Sequence, residues 1–316
     1  MPSSAHGPGR SARTRWVFRL ARLAAPGGQE GTEPIPLDRE VPRYSASSDA
    51  EFHRLAEVYR YEPRPLEARI ENRLDTPEWT RETISFRGAD DQRVSAYLYL
   101  PTHAPRPLQV LHYVPAADVD GGVRSLDASI EDRMSAFVRG GRAVFGVVLE
   151  GYVGRPRPAG PATDRSTVEY QDEVVERITE LRLGLDYLGT RADLDLSRLV
   201  FFGPSAGAQI GLIMAAIEPR YRAVVMVGAG LPNVYDSYVA TANPVKFTPH
   251  IRAPKLIIQG RYDEDTPLRS ASEPLFALMR EPKRLVLYDG GHVPATSLMM
   301  TVASEWLDEQ LGRVIR

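Results

Sequence analysis

The stretch Leu199-Val200-Phe201-Phe202-Gly203-Pro204-Ser205-Ala206-Gly207 leaves a chain few ways to fold. Its four leading apolar residues read as a buried strand, and Ile210, Leu212, Ile213 and Ile217 then begin a helix. A strand joined to a helix through Gly-x-Ser-x-Gly must turn so tightly that the residues beside the serine are small. The turn lifts the Ser205 hydroxyl above a sheet, at a helix N-terminus.

Around this elbow, short apolar runs alternate with longer helical patterns, the rhythm of an α/β chain with a mostly parallel sheet flanked by helices. Strands are expected at 83–87, 94–100, 108–114, 143–150, 198–202, 223–228, 255–260 and 283–288, giving an eight-stranded sheet. Between the fourth and fifth, Val174, Ile178, Leu181, Leu185 and Leu188 recur in steps of four and three, so one stripe of a long helix faces the sheet.

Three regions are expected. Residues 1–33 carry five arginines before the first acidic residue, Glu30, and read as a basic tail. Residues 34–81 form an arm with a helix around Phe52, Leu55, Val58 and Tyr59, followed by Pro63, Pro65 and Pro77. Residues 82–316 make the main α/β domain, with a small cap at 231–252. No internal repeat of 20 to 50 residues is visible.

Composition removes several kinds of chemistry. The 316 residues hold no cysteine, which excludes disulfides, thiolate metal sites, iron–sulfur clusters and a cysteine nucleophile. With 39 basic against 41 acidic side chains, there is no overall pull toward nucleic acid or membrane. No apolar run approaches the roughly 18 to 20 residues of a membrane helix, so a soluble, cytoplasmic protein is expected, as monomer or homodimer.

A serine nucleophile needs a base, and an elbow of this kind goes with the chain order serine, acid, histidine. Of the six histidines, only His250 and His292 follow Ser205. His250 leaves no room for an acid loop before it, whereas His292 sits in a glycine-rich turn after the last strand, so His292 is the expected base. The acid should follow the strand ending at Gly260. There Asp263, Glu264 and Asp265 compete; the spacing from Gly260 favours Asp263, with Asp265 in reserve and Glu264 pointing away.

Acyl transfer also needs two donors for the oxyanion. One is the Ala206 N–H. The other should come from the loop Val114-Pro115-Ala116-Ala117-Asp118; Pro115 has no N–H, so Ala116 is favoured and Ala117 is the reserve. Glu150 and Tyr152 at the end of the fourth strand, with Tyr235 and Tyr238 in the cap, are candidate pocket walls.

Several stretches together resemble a known family: residues 61–69, Ala96-Tyr97-Leu98-Tyr99-Leu100-Pro101, the elbow, Gly260-Arg261-Tyr262-Asp263 and Asp289-Gly290-Gly291-His292-Val293-Pro294. The chain looks like an α/β-hydrolase of the dienelactone-hydrolase and prolyl-oligopeptidase-like branch. It is similar to the hydrolase module found alone or at the C-terminus of some bacterial serine/threonine kinases. The resemblance spans about residues 50 to 312. It departs at Ala206, where the fused modules tend to carry an aromatic residue, and the chain has no kinase motif.

The expectation is a serine hydrolase acting on a small or medium carboxylic ester, with no metal or organic cofactor. A peptidase, or a binding protein on a hydrolase scaffold, is the rival. Only about 80 residues precede the first expected strand, too few for the β-propeller that gates prolyl-oligopeptidase relatives.

Overall fold

In the computed structural model, which describes residues 44–117, 125–152, 155, 162–231 and 237–314, the apolar runs lie side by side in one sheet. The strands are β1 (Arg69–Asp75), β2 (Trp79–Arg87), β3 (Arg93–Pro101), β4 (Leu108–Tyr113), β5 (Ala143–Val147), β6 (Leu194–Pro204), β7 (Ala223–Val227), β8 (Lys255–Gly260) and β9 (Lys283–Tyr288). Their spatial order is β1-β2-β3-β5-β4-β6-β7-β8-β9. The six strands from β5 to β9 along this order are mutually parallel, and β1 to β3 extend one edge antiparallel.

Helices cover both faces because the central strands are apolar on both. Leu199 and Phe201 of β6 join the core on one face, where α1 (Asp49–Ala56), α4 (Val168–Gly189), α5 (Ala206–Ile217), α6 (Pro244–Phe247) and α7 (Glu273–Leu278) pack. Val200 and Phe202 point the other way, toward α2 (Leu126–Arg133), α3 (Ser135–Arg139) and α8 (Thr296–Leu311). The stripe Val174, Ile178, Leu181, Leu185 and Leu188 on α4 is buried throughout.

The sheet has nine strands rather than the expected eight, and β1 occupies part of the segment expected to be a helical arm. Its physical character explains the discrepancy. All seven residues of β1 are exposed, four are charged, and the pairing with β2 is bulged between Ile70 and Asn72. A charged, bulged edge strand resists pairing with other chains, but it carries no alternating apolar signal. The β2 strand likewise begins at Trp79 rather than residue 83, because its buried Glu82 is neutralised by Arg191 and so interrupts the apolar pattern.

The rest of the arm packs on the domain. Ser48 caps α1 by accepting from the Glu51 N–H at 3.1 Å. Tyr59 is only 1% exposed, and its hydroxyl donates to the Thr241 carbonyl at 2.7 Å. Phe52, Leu55 and Leu66 are half-buried against the same core. Residues 240–250 form three short helical turns, and Phe247 among them meets both Phe52 and Tyr59 edge-on. The second candidate histidine, His250, stacks on Phe52 at 4.1 Å and hydrogen-bonds Ser47, so it serves this packing.

Candidate active site

All the parallel strands end at one sheet edge, and three of them deliver the candidate residues there. Ser205 follows β6 with φ 49° and ψ −114°, a left-handed backbone that a non-glycine residue adopts only where its surroundings enforce it. Those surroundings are close. The Ser205 N–H donates to the Val227 carbonyl at 2.8 Å, and a Cβ on Gly207 would stand 2.0 Å from the Val114 carbonyl oxygen. Only glycine lets the first turn of α5 approach the loop after β4 so nearly.

The acid loop and the histidine turn are pressed together in the same manner. A Cβ on Gly260 would meet the Gly291 carbonyl oxygen at 2.0 Å, and the Tyr262 N–H donates to the Gly290 carbonyl at 3.0 Å. His292 therefore projects toward both partners. Its Nδ1 lies 2.8 Å from Asp263 Oδ2 and its Nε2 lies 2.8 Å from Ser205 Oγ. A carboxylate can only accept, so Nδ1 carries the proton, and Nε2 is left to accept from the serine hydroxyl.

Asp263 is buried and densely bonded. Its Oδ2 accepts from Gln259 Nε2 at 2.7 Å and Thr266 Oγ1 at 2.7 Å besides His292, while Oδ1 accepts the N–H groups of Asp265 and Thr266 at 3.0 and 2.8 Å. Burial pushes this carboxyl upward, but the hydrogen bonds from His292 and Thr266 outweigh it and hold the pKa below the ordinary value. The hydrogen bond to Asp263 raises the pKa of His292 in turn; burial opposes this, and the charges of Asp263 and Asp265 reinforce it.

Asp265 sits differently. Its side chain is 74% exposed and approaches Nε2 of His292, at 3.9 Å, rather than Nδ1. Glu264 is exposed. Of the candidate walls, Tyr152 reaches the elbow by donating to the Ala206 carbonyl at 3.3 Å. The Glu150 carboxylate lies 3.6 Å from Arg155, while its carbonyl accepts from Arg177 on α4. Tyr238 packs edge-on against Tyr170 of α4 with Arg165 over its ring. Tyr235 falls outside the described residues, as does the whole of the tail at 1–33. Ala116 and Ala117 sit at increasing exposure just beyond the Val114–Pro115 backbone that Gly207 touches.

Gln259 and Thr266 escape the sequence reading although they hold the acid in place. Gln259 had a signal, since it is the one polar residue in the apolar run Leu256-Ile257-Ile258 before Gly260. One atom each of Asp263, Asp265 and His292 lie within 4.8 Å of one another, a spacing that could hold a cation. A cation ligated there by one ring nitrogen of His292 would displace the hydrogen bond which that nitrogen makes, Nδ1 to Asp263 or Nε2 to Ser205.

This architecture is the α/β-hydrolase fold, with the elbow on β6 and the other two loops beside it. No family model matches the chain. Over 147 residues it is 31% identical to the uncharacterized protein YfhR of Salmonella typhi, a match covering 38% of this chain and 49% of the relative. The chain thus spans about half the length of the curated relatives it matches. Among solved structures, an acetyl xylan esterase from Paenibacillus sp. R4 superposes with a TM-score of 0.61 at 17% identity, over 86% of this chain and 97% of that one. A glucuronoyl esterase from Solibacter usitatus gives 0.59 at 13% identity, over 86% and 99%. A putative dipeptidyl aminopeptidase IV from Bacteroides ovatus gives 0.58 at 18%, over 74% of this chain but 36% of that one. Among the described residues no helix is long and apolar enough to cross a membrane.

Proposed function

We propose that the protein is a serine-dependent carboxylic ester hydrolase working through an acyl-enzyme. The observation that carries this reading is the unbroken hydrogen-bonded line from Ser205 through His292 to buried Asp263 at the carboxyl edge of the sheet. Ser205 Oγ attacks the acyl carbon as His292 Nε2 takes its proton, and the imidazolium returns that proton to the departing alcohol. Asp263 fixes the tautomer. The N–H groups of Ala206 and Ala116, with Ala117 in reserve, stabilise the oxyanion, and the contact of Gly207 with the Val114–Pro115 backbone supports a pairing of these two segments. Water then repeats the sequence on the acyl-enzyme. Several fold neighbours carry esterase names, which favours esters over amides. The proposed substrate is a small or medium ester, and no metal takes part.

The test is a panel of p-nitrophenyl esters run beside dipeptide and proline-linked anilides. Turnover is expected for short acyl chains, declining as the chain grows, with no anilide cleavage and no effect of EDTA. Anilide cleavage that vanishes in Ser205→Ala would move the protein to the peptidases.

The pH profile checks the base. His292 must be neutral to accept the serine proton, and Asp263 stabilises its protonated form. Turnover is therefore lost below the raised pKa and present above it. The midpoint of kcat/KM should lie above the roughly 6.5 of an ordinary histidine, followed by a plateau. A flat profile between pH 5 and 8 would exclude a histidine base.

A further inference from the structure

We infer that Asp265 selects among substrates by the charge of the leaving alcohol, favouring cationic esters and rejecting anionic ones; this rests on the ester-hydrolase reading above. The Asp265 carboxylate stands 3.9 Å from His292 Nε2, on the side of the ring that faces Ser205. Nε2 is the atom that hands the proton to the departing oxygen, so the leaving group must come within hydrogen-bond distance of it. A charge beside Nε2 therefore acts on the alcohol moiety.

The surroundings leave that charge unopposed. Among the described residues no lysine or arginine pairs with Asp265, and its side chain is 74% exposed. Its main chain is nevertheless fixed, because the Asp265 N–H is bound to Asp263 Oδ1 at 3.0 Å. Nearby, Arg261 is tied to Asp289 at 2.9 Å, and Glu264 adds a second exposed carboxylate to the loop. The residues flanking the acid and the base, Tyr262 and Val293, are uncharged and 42% and 62% exposed. Exposed carboxylates beside uncharged, exposed Tyr262 and Val293 suit an alcohol that pairs apolar surface with a positive charge, such as a quaternary ammonium.

In a water-like dielectric, a unit charge about 6 Å from the carboxylate changes the rate about threefold, so cationic and anionic members of a pair should differ about tenfold. The test uses the full chain and three acetates that share an acyl group: phenyl acetate, its meta-trimethylammonium derivative and its meta-carboxylate derivative. Their intrinsic reactivities differ, but that difference cancels when the cation-to-anion ratio of kcat/KM is compared between variants. The ratio is expected to fall about tenfold in Asp265→Asn, fall further in Asp265→Lys and hold in Asp265→Glu. In the parent it should shrink as sodium chloride rises from 50 to 500 mM, and in Asp265→Asn it should not. Ratios that stay constant across the variants while phenyl acetate is still hydrolysed would overturn the assignment and leave the ester-hydrolase reading intact. Phenyl acetate turnover that persists in Ser205→Ala would instead overturn that reading, and this assignment with it.

Discussion

Ser205→Ala and His292→Ala are each expected to lower kcat/KM for a short-chain p-nitrophenyl ester by at least about a thousandfold, with the melting temperature little changed. The effect is large because the proposed groups act as one unit: without the hydroxyl there is no acyl-enzyme, and without the imidazole the hydroxyl keeps its proton. Neither side chain holds the fold together. Ser205 Oγ bonds His292, another residue of the site, rather than the sheet or a helix, and His292 is partly exposed. Asp263→Asn should cost about as much, for a different reason. Its amide would offer a donor where Nδ1 now donates, favouring the tautomer that leaves Nε2 protonated and unable to accept. It would also give a donor to a position surrounded by the Gln259 and Thr266 donors, so some loss of stability should accompany it. If Asp265→Asn rather than Asp263→Asn proved crippling, the acid would be misassigned. Near-parental activity in Ser205→Ala would exclude the nucleophile.

The difference between what the sequence discloses and what it conceals follows from the range of the interactions. The elbow is legible because its constraint is local: Leu199–Phe202, the two glycines and the start of α5 are contiguous, and the strained φ of Ser205 needs them all within nine residues. Asp263 and His292 are legible because each closes a turn directly after an apolar strand. The edge strand β1 is not, since a strand with one sheet neighbour and both faces open to water has no reason to alternate. Tyr238 shows the converse limit: it can be named as a candidate wall from sequence, but its engagement with Tyr170 of α4 and with Arg165 just before that helix depends on a segment about 70 residues away. Gln259 lies between these cases, because a polar residue in a buried strand announces that it has a partner without saying which.

Deleting the chain through Arg69 is expected to destabilise the protein severely, while deleting residues 1–30 should leave melting temperature and turnover near those of the full chain. The longer cut removes Tyr59, which is almost wholly buried, together with Phe52, Leu55 and Leu66, which cover the same core. It also strands partners on the remaining domain. Arg182 would lose the Tyr59 carbonyl at 2.7 Å and the Tyr61 ring beneath its guanidinium at 4.5 Å. His250 would lose both the Phe52 ring and the Ser47 hydroxyl. Loss of one buried aromatic costs about 3–5 kcal/mol, so the combined loss should exceed about 5 kcal/mol. At about 2–4 °C per kcal/mol for a domain of this size, melting should fall by at least about 10 °C, or the truncated chain should not fold. Tyr59→Ala tests the same packing without removing the backbone, and it should lower the melting temperature by more than Tyr59→Phe, which gives up only the hydrogen bond to Thr241. A stable, active protein beginning near residue 70 would show that the arm merely rests on the hydrolase fold; the enclosed ring of Tyr59 argues that it completes the core.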